Sequence, residues 1–264
     1  MTNPSSKFRV DLGSVSLNLL TFPNLSVPHG FTTRDGGVSS GVYSSLNLGL
    51  STGDERTLVE ANRDLVIEKF GASRSQVVAL EQVHGANVVV AEPSWYEVQA
   101  DASVTDNPDL LLVISVADCA PLLFHDPVKN VIGAAHAGWR GTVKGIAREV
   151  VQKLEAEYGS DPRDLQVAIG PSIQAPCYQV GPEVVEAFAE AGFPDSVYSP
   201  DDEGRFRLDV AGANWVVLER AGVSKQNIHD LGECTHCDKE KFYSHRRDAL
   251  QRGSHWAVIR LGAS

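Results

Sequence analysis

The chain has 264 residues, 42% of them hydrophobic, and a formal net charge of −11 at pH 7. Such an acidic chain, with a pI near 5.1, is a poor partner for nucleic acid or an anionic membrane. Four cysteines do not make a secreted disulfide framework, and the apolar run at 15–22 is too short for a signal or a membrane span. We therefore expect a cytoplasmic protein with one domain over residues 1–264, of which residues 1–8 are expected to be flexible.

Hydrophobic periodicity and turn residues predict the elements in chain order. The predicted strands cover residues 28–33, 77–83, 87–91, 110–116, 121–125, 131–136, 165–170 and 255–261. The predicted helices cover residues 54–70, with Asp54 as the cap, and residues 142–158, 182–191 and 210–221. Long strands, a hairpin at 126–130 and interspersed helices predict an α+β fold rather than a repeating βαβ array.

The most informative segment is the glycine-rich turn that follows the strand at 131–136. His136 lies there among small residues, and Arg140 follows it at the start of a helix. Small neighbours leave room for a metal or a substrate beside the imidazole, and Arg140 with the helix-start amides favours an anion. The alternative is a turn that only needs glycine for its backbone, with a surface histidine.

Two other strand ends carry comparable side chains. His84 ends the strand at 77–83, and Cys119 interrupts the apolar run at 110–124. Catalytic zinc sites use three protein ligands, and a mixture of cysteine and histidine suits zinc or copper. The alternative is a core cysteine with two hydrogen-bonded turn histidines.

The chain contains many motifs that, in their type and in their order along the sequence, resemble those of the bacterial YfiH/YlmD family. This family is also described as the multicopper polyphenol oxidase or laccase-domain family. The resemblance runs from about Pro28 to Val258. It depends on HGFTTRDGGVS at 29–39, SLNLG at 45–49, QVHG at 82–85, ADCAP at 117–121, HAGWRG at 136–141, IGPSI at 169–173, PCY at 176–178 and FYSHRRD at 242–248.

The resemblance implies a four-layer α-β-β-α sandwich and a Zn²⁺ held by His84, Cys119 and His136, with Cu²⁺ as the alternative. It also implies a purine nucleoside phosphorylase that acts on adenosine, inosine, guanosine and methylthioadenosine, together with adenosine deaminase activity. The expected partners are therefore small purine nucleosides and phosphate, and we expect a monomer or a weak homodimer.

The chemistry suggests further candidates. Phosphorolysis passes through an oxocarbenium-like state, and the attacking phosphate needs fixed positive charge, for which Arg34 and Arg140 are suited. Asn47 could hold a ribose hydroxyl or a purine edge. Asp118 is the nearest carboxylate for proton transfer in deamination, although it could equally stabilise the turn.

The segment at 242–248 supplies the rest of the expected substrate-binding set, Ser244 and Arg246. The C-x-x-C pair of Cys234 and Cys237 has no second pair to complete a Cys₄ site. We therefore favour a structural or substrate-lining role for this pair over a second metal.

Two alternative functions stay open beside the phosphorylase. A copper polyphenol oxidase needs many more histidines than the eight present, and there is no H-x-H pair. A cysteine-dependent hydrolase, active in editing peptidoglycan precursors, could use Cys119 and His136 without a metal.

Overall fold

Two sheets of six strands form the centre of the fold. The computed structural model describes residues 17–262, so the N-terminal residues that we expected to be flexible lie outside the described part. The first sheet contains, in spatial order, β1 (Leu19–Leu20), β2 (His29–Thr32), β15 (His255–Arg260), β7 (Leu111–Val116), β3 (Val77–Glu81) and β5 (Ser94–Gln99). The second contains β14 (Ile228–Asp230), β10 (Gln166–Ile169), β8 (Ala120–Asp126), β9 (Val131–Ala137), β6 (Ala102–Thr105) and β4 (Val88–Val90).

The remaining elements lie outside these sheets. A small sheet contains β11 (Gln179–Val180), β13 (Phe206–Leu208) and β12 (Tyr198–Pro200). The helices are α1 (Arg56–Lys69), α2 (Trp139–Val143), α3 (Ile146–Tyr158), α4 (Pro182–Glu190), α5 (Val210–Arg220) and α6 (His245–Asp248). None of the helices within residues 17–262 has the length and apolar character needed to cross a membrane.

Three apolar clusters define four layers. One cluster joins the inner faces of the two sheets, with Ile114 of β7 and Ala134 of β9 among its members. A second packs α3 and α5 on the outer face of the second sheet, and a third packs α1 on the outer face of the first sheet. The described residues therefore form a single α+β domain with α-β-β-α layers, as the resemblance implied.

The structure corrects two details of the predicted helices. Glu55, and not Asp54, is the capping residue of α1; one carboxylate oxygen of Asp54 accepts a hydrogen bond from Ser39 Oγ at 2.6 Å. The helix expected over 142–158 is divided into α2 and α3, because Gly145 between them has a left-handed φ of 81°.

Strand register brings the functional candidates together. The hairpin of β8 and β9 pairs Pro121 with His136, so Cys119 lies beside the residues that follow His136. On the other side of β9, Ala102 of β6 pairs with Ala135, and Asp101 therefore lies next to His136. Of the two neighbours of β9, β8 directly precedes it in the hairpin, whereas β6 lies well before it in the sequence.

Candidate metal centre and its flanking cavities

His84, Cys119 and His136 converge on one point. One ligand atom from each side chain lies within 4.8 Å of the other two. The two imidazole rings are nearly perpendicular, with centroids 4.8 Å apart. His136 is buried and His84 is exposed, so the cluster opens to solvent on the His84 side. The structure thus brings together the three side chains that the sequence analysis identified at the ends of three strands.

Unusual backbone conformations aim two of these side chains. His84 has a φ of 57°, and Asp118, which precedes Cys119, has a φ of 93°. Residues with side chains rarely adopt such angles, which cost free energy and recur at functional sites. The sharp turns at the ends of β3 and β7 therefore direct His84 and Cys119 toward His136.

Asp101 holds the centre together and was not anticipated from the sequence. It is fully buried, and its Oδ1 lies 2.8 Å from His136 Nδ1. The same carboxylate accepts backbone N–H groups of His84 at 3.0 Å and Gly85 at 2.6 Å. Because Nδ1 of His136 is engaged, its Nε2 is the atom available to a metal.

The charges of the centre favour the metal-binding form of the cysteine. Burial raises the pKa of the Cys119 thiol, but the charge and hydrogen bonds of His136 and His84 outweigh burial and lower this pKa to about 6. Burial lowers the pKa of His136, whereas Cys119 and Asp101 raise it to about 9. The thiolate is the form of cysteine that coordinates metals.

Gly138 provides the space that a bound ion needs. A Cβ atom at this position would lie 3.0 Å from Cys119 Sγ and 3.2 Å from His84 Cδ2. Only glycine therefore leaves the sulfur and the imidazole unobstructed. Two imidazoles and one thiolate fit zinc or copper, and three protein ligands leave one coordination position for a reactant.

Two cavities meet at this centre. The larger has a volume of about 770 Å³ and the smaller about 290 Å³. Their shared wall contains His84, Ala117, Cys119 and His245. The larger cavity is also lined by Gln82, Tyr96 and Arg252, which the sequence did not single out. A reactant in the larger cavity can therefore approach all three clustered side chains, and one in the smaller cavity can approach His84 and Cys119.

Cationic and aromatic side chains line the smaller cavity. The guanidinium of Arg140 lies 4.3 Å from the centroid of the Trp139 ring. Arg246 lies over the ring of Tyr178 at 5.0 Å and donates to the Gln179 carbonyl at 2.6 Å. Burial raises the pKa of Tyr178, so its phenol keeps its proton at neutral pH. This cavity has the charge and the donors that an anion such as phosphate requires.

The structure does not bring Arg34 to these cavities. Its guanidinium donates to the carbonyls of Ser44 and Lys239, each at 2.8 Å, and lies 4.7 Å from the centroid of the Tyr243 ring. Arg34 lines a separate cavity of about 510 Å³. These contacts indicate that Arg34 fastens surface loops together.

Asn47 and Ser244 are also directed elsewhere, and both are fully buried. The Asn47 amide donates to Thr52 at 2.8 Å and accepts from the backbone N–H of Ser254 at 3.0 Å. Ser244 caps α6 by accepting the N–H of Arg247 at 3.2 Å. Neither side chain is open to a substrate in this structure.

Asp118 lines the smaller cavity, but both of its oxygens are occupied. One accepts the hydroxyl of Thr235 at 2.6 Å, and the other accepts the backbone N–H of Arg246 at 2.6 Å. These contacts match the turn-stabilising role that we left open, and they leave Asp118 poorly suited to proton transfer.

The chain is similar to known proteins over most of its length. Residues 28–262 match the family model described as multi-copper polyphenol oxidoreductase laccase. The purine nucleoside phosphorylase of Deinococcus radiodurans is 46% identical over 247 residues, which cover 93% of each chain. The purine nucleoside phosphorylase YlmD of Bacillus subtilis is 34% identical over 270 residues, covering 98% of this chain and 95% of YlmD. The crystal structure of the Bacillus licheniformis hypothetical protein YfiH has a TM-score of 0.87 at 33% identity, covering 95% of this chain and 98% of that one.

Proposed function

The chain belongs to the laccase-domain family that includes YfiH and YlmD, and we propose that it is a zinc-dependent purine nucleoside phosphorylase. The observation that carries this proposal is the cluster of His84, Cys119 and His136 where two cavities meet; His84 and Cys119 line both cavities, and His136 lines the larger. Relatives that bear the name purine nucleoside phosphorylase over nearly the whole chain support it.

The reaction needs two adjacent binding sites. An oxygen of inorganic phosphate attacks C1′ of the ribose, and the bond between C1′ and the purine nitrogen breaks. The electron pair of that bond leaves with the purine, which takes up a proton, and ribose 1-phosphate is the second product. Phosphate and nucleoside must therefore be held on opposite sides of one carbon atom, in fixed orientation.

The two cavities suit these two reactants. A volume of about 770 Å³ lies in the usual range for small-molecule sites, and the phenol of Tyr96 and the guanidinium of Arg252 are polar groups able to orient a nucleoside there. The amide of Gln82 is held by the backbone of Ser115. In the smaller cavity, Arg140 and Arg246 supply positive charge for phosphate, and the Tyr178 phenol supplies a donor.

His84, Cys119 and His136 would hold the zinc ion where the two cavities meet. Bound there, Zn²⁺ would supply a Lewis acid that polarises a substrate atom. Asp101 would keep His136 oriented and electron-rich through the contact at Nδ1. Arg252, which donates to His245 Nδ1 at 3.2 Å, would hold that imidazole in the shared wall.

We extend the proposal to the purine range that the family resemblance implies, namely adenosine, inosine, guanosine and methylthioadenosine, and to deamination of adenosine. Deamination needs a carboxylate for proton transfer, and Asp118 has both oxygens engaged. Glu81 is the acidic side chain that lines the larger cavity. We therefore propose Glu81, instead of Asp118, as the carboxylate that transfers protons in deamination.

One observation favours a second candidate function, a cysteine-dependent hydrolase such as an enzyme that edits peptidoglycan precursors. Cys119, His136 and Asp101 form a connected set in which the cysteine is ionised near neutral pH. A nucleophile, a base and an orienting carboxylate are what such hydrolases require. Removing the metal would leave this activity intact, whereas it would abolish zinc-dependent phosphorolysis.

A copper polyphenol oxidase receives less support. The His₂Cys cluster alone could hold one copper ion, but laccase chemistry also needs a trinuclear copper cluster built from histidines. Within residues 17–262 the other cluster of metal-ligating side chains consists of cysteines only. We therefore do not propose this activity, although the family model carries its name.

The proposal is tested by incubating the zinc-loaded protein with adenosine or inosine, in the presence and absence of inorganic phosphate. Chromatography should identify adenine or hypoxanthine together with ribose 1-phosphate, and only when phosphate is added. Inosine and ammonia formed from adenosine without phosphate would demonstrate the deaminase activity. The same incubations are run with guanosine and methylthioadenosine, and base release that is absent with all four nucleosides, with and without phosphate, would refute the phosphorylase.

A further inference from the structure

We propose that Cys177, Cys234 and Cys237 form a second, thiolate-only metal site for one Zn²⁺ ion. This site would join two loops, residues 171–178 and residues 231–238, which lie about 60 positions apart in the sequence. The C-x-x-C pair alone was too weak a signal to predict a metal, because its third sulfur comes from the distant loop.

The three sulfurs lie close enough together to share a single ion. All lie within 4.8 Å of one another, and those of Cys177 and Cys237 are 2.9 Å apart. With zinc–sulfur bonds of about 2.3 Å, tetrahedral geometry places bound sulfurs roughly 3.8 Å apart. The Cys177–Cys237 separation is shorter than this value and the other two do not exceed 4.8 Å, so rotation of the side chains would bring all three onto an ion.

The backbone holds this arrangement in place without the ion. Ser172 and Cys234 form a β-bridge, and the N–H of Thr235 donates to the Ser172 carbonyl at 3.1 Å. The N–H of Asp238 donates to the Cys234 carbonyl at 3.2 Å and so closes the C-x-x-C turn. The two loops are therefore already paired where the sulfurs meet.

The chemistry of the three side chains suits a soft ion. Thiolates select soft ions such as zinc. Arg207 donates to the Pro176 carbonyl at 3.2 Å and brings a positive charge to the residue before Cys177.

Three converging sulfurs favour a metal over a disulfide. A disulfide between Cys177 and Cys237 would use two of them and give no role to Cys234. Among the described histidine, cysteine and acidic side chains, none adds a fourth ligand atom to this cluster. Cys237 is exposed, so an ion can enter from solvent.

This second site would support the wall of the smaller cavity. Tyr178, which follows Cys177, lines that cavity. Thr235, which follows Cys234, donates to Asp118, the neighbour of Cys119. An ion that fixes the two loops would therefore hold the phenol of Tyr178 and the Asp118 turn in position, whichever reaction the first centre catalyses.

The test is metal stoichiometry of the full chain, stripped with a chelator under reductant and then reloaded with Zn²⁺ alone. We expect two zinc ions per chain in the wild type and one in Cys237→Ala. His236→Ala is the matched control, because His236 lies inside the same turn but outside the sulfur cluster, and it should retain two. Cys119→Ala should also retain one ion, held by the second site.

Cobalt and thermal unfolding give independent readouts. After Co²⁺ loading, the near-ultraviolet thiolate-to-cobalt absorption should fall further in Cys237→Ala than in Cys119→Ala, because three of the four cysteines belong to the second site. Zinc should raise the Tm of Cys119→Ala. A single zinc in the wild type that Cys237→Ala does not alter, or a Cys177–Cys237 disulfide that persists under reductant, would overturn the proposal.

Discussion

The Asp101 carboxylate and the His136 imidazole form a buried pair, with Oδ1 of Asp101 2.8 Å from Nδ1 of His136. The pair is closed to solvent because β6 and β9 pair directly beside it. Asp101 also receives the backbone N–H groups at the His84 turn, so a single carboxylate orients two of the three candidate ligands.

Asp101→Asn should therefore weaken zinc binding at the first centre. The amide keeps the size of the carboxylate but loses its charge, and such changes behind a histidine ligand typically cost roughly 10- to 100-fold in metal affinity. Competition with a chelator whose own zinc affinity is known measures the loss. An unchanged affinity in a folded variant would show that Asp101 serves the fold alone.

Gly138→Ala should impair the same centre by a steric route. The added methyl group would lie 3.0 Å from the Cys119 sulfur, which must then move away from the shared point. Gly262→Ala is the matched control, because there the nearest atom, in Pro28, is 3.7 Å away. We expect lower zinc affinity and lower phosphorolysis in Gly138→Ala only. Equal values for the two variants would contradict the inference that Gly138 leaves space for the bound ion.

Arg140→Ala should raise the KM for phosphate while leaving stability almost unchanged. The side chain is exposed in the smaller cavity, and loss of a charged hydrogen bond to phosphate corresponds to roughly 10- to 100-fold. Steady-state kinetics at varied phosphate provide the measurement. Arg140→Lys should recover only part of the affinity, because lysine lacks the planar guanidinium.

Arg34→Ala is expected to show the opposite pattern. Its guanidinium is engaged by the Ser44 and Lys239 carbonyls, so the variant should lose about 1 to 3 kcal/mol of unfolding free energy. Urea unfolding tests the stability, and phosphate kinetics in the folded fraction test the function. A stable Arg34→Ala protein with a greatly raised KM for phosphate would show that Arg34 binds phosphate and does not serve the fold alone.

Glu81→Gln should separate the two proposed activities. If Glu81 handles the protons of deamination, ammonia release from adenosine should fall by roughly 100-fold or more, in line with the typical contribution of general acid–base catalysis. Phosphorolysis of inosine by the same preparation should be retained. A parallel loss of both activities would point to a binding role for Glu81.

His255 should make stability depend on pH. Burial lowers its pKa to about 3, and its Nε2 accepts the N–H of Tyr243 at 2.8 Å. The unfolded chain takes up a proton near pH 6.5 that the folded chain refuses until about pH 3. Stability from this residue is therefore complete above the unfolded value and declines as the pH falls between the two.

The decline should approach about 1.4 kcal/mol per pH unit for this single group. His255→Gln cannot titrate, so its unfolding free energy, measured with urea between about pH 7 and pH 5, should fall less steeply. Burial also lowers the pKa of His29, so the comparison is between slopes of the two proteins. Identical slopes would mean that the pKa of His255 is the same in the folded and the unfolded state.

The sequence was informative wherever the signal was local. Alternating runs and turn residues located most strands of both central sheets, and three strand ends indicated His84, Cys119 and His136. Asp101 gave no such signal, because its contact with His136 depends on the pairing of β6 with β9 across 35 positions. The short, fully buried β6 has no alternation to reveal it.

Side-chain direction was the other missing information. A motif places Asn47 or Ser244 near a turn, but only tertiary packing shows that both are buried and hydrogen-bonded within the fold. The same limit applies to Cys177, whose neighbours in space come from a loop about 60 residues away. The residue types indicated the chemistry of the site, and the topology determined which of those residues lie together in it.

The most direct measurement is phosphate-dependent release of hypoxanthine from inosine before and after removal of the metal. We predict that the chelator-stripped protein releases none, that Zn²⁺ restores the release, and that Zn²⁺ fails to restore it in Cys119→Ala. Release at the wild-type rate by stripped protein, or by Cys119→Ala, would contradict a reaction centred on His84, Cys119 and His136.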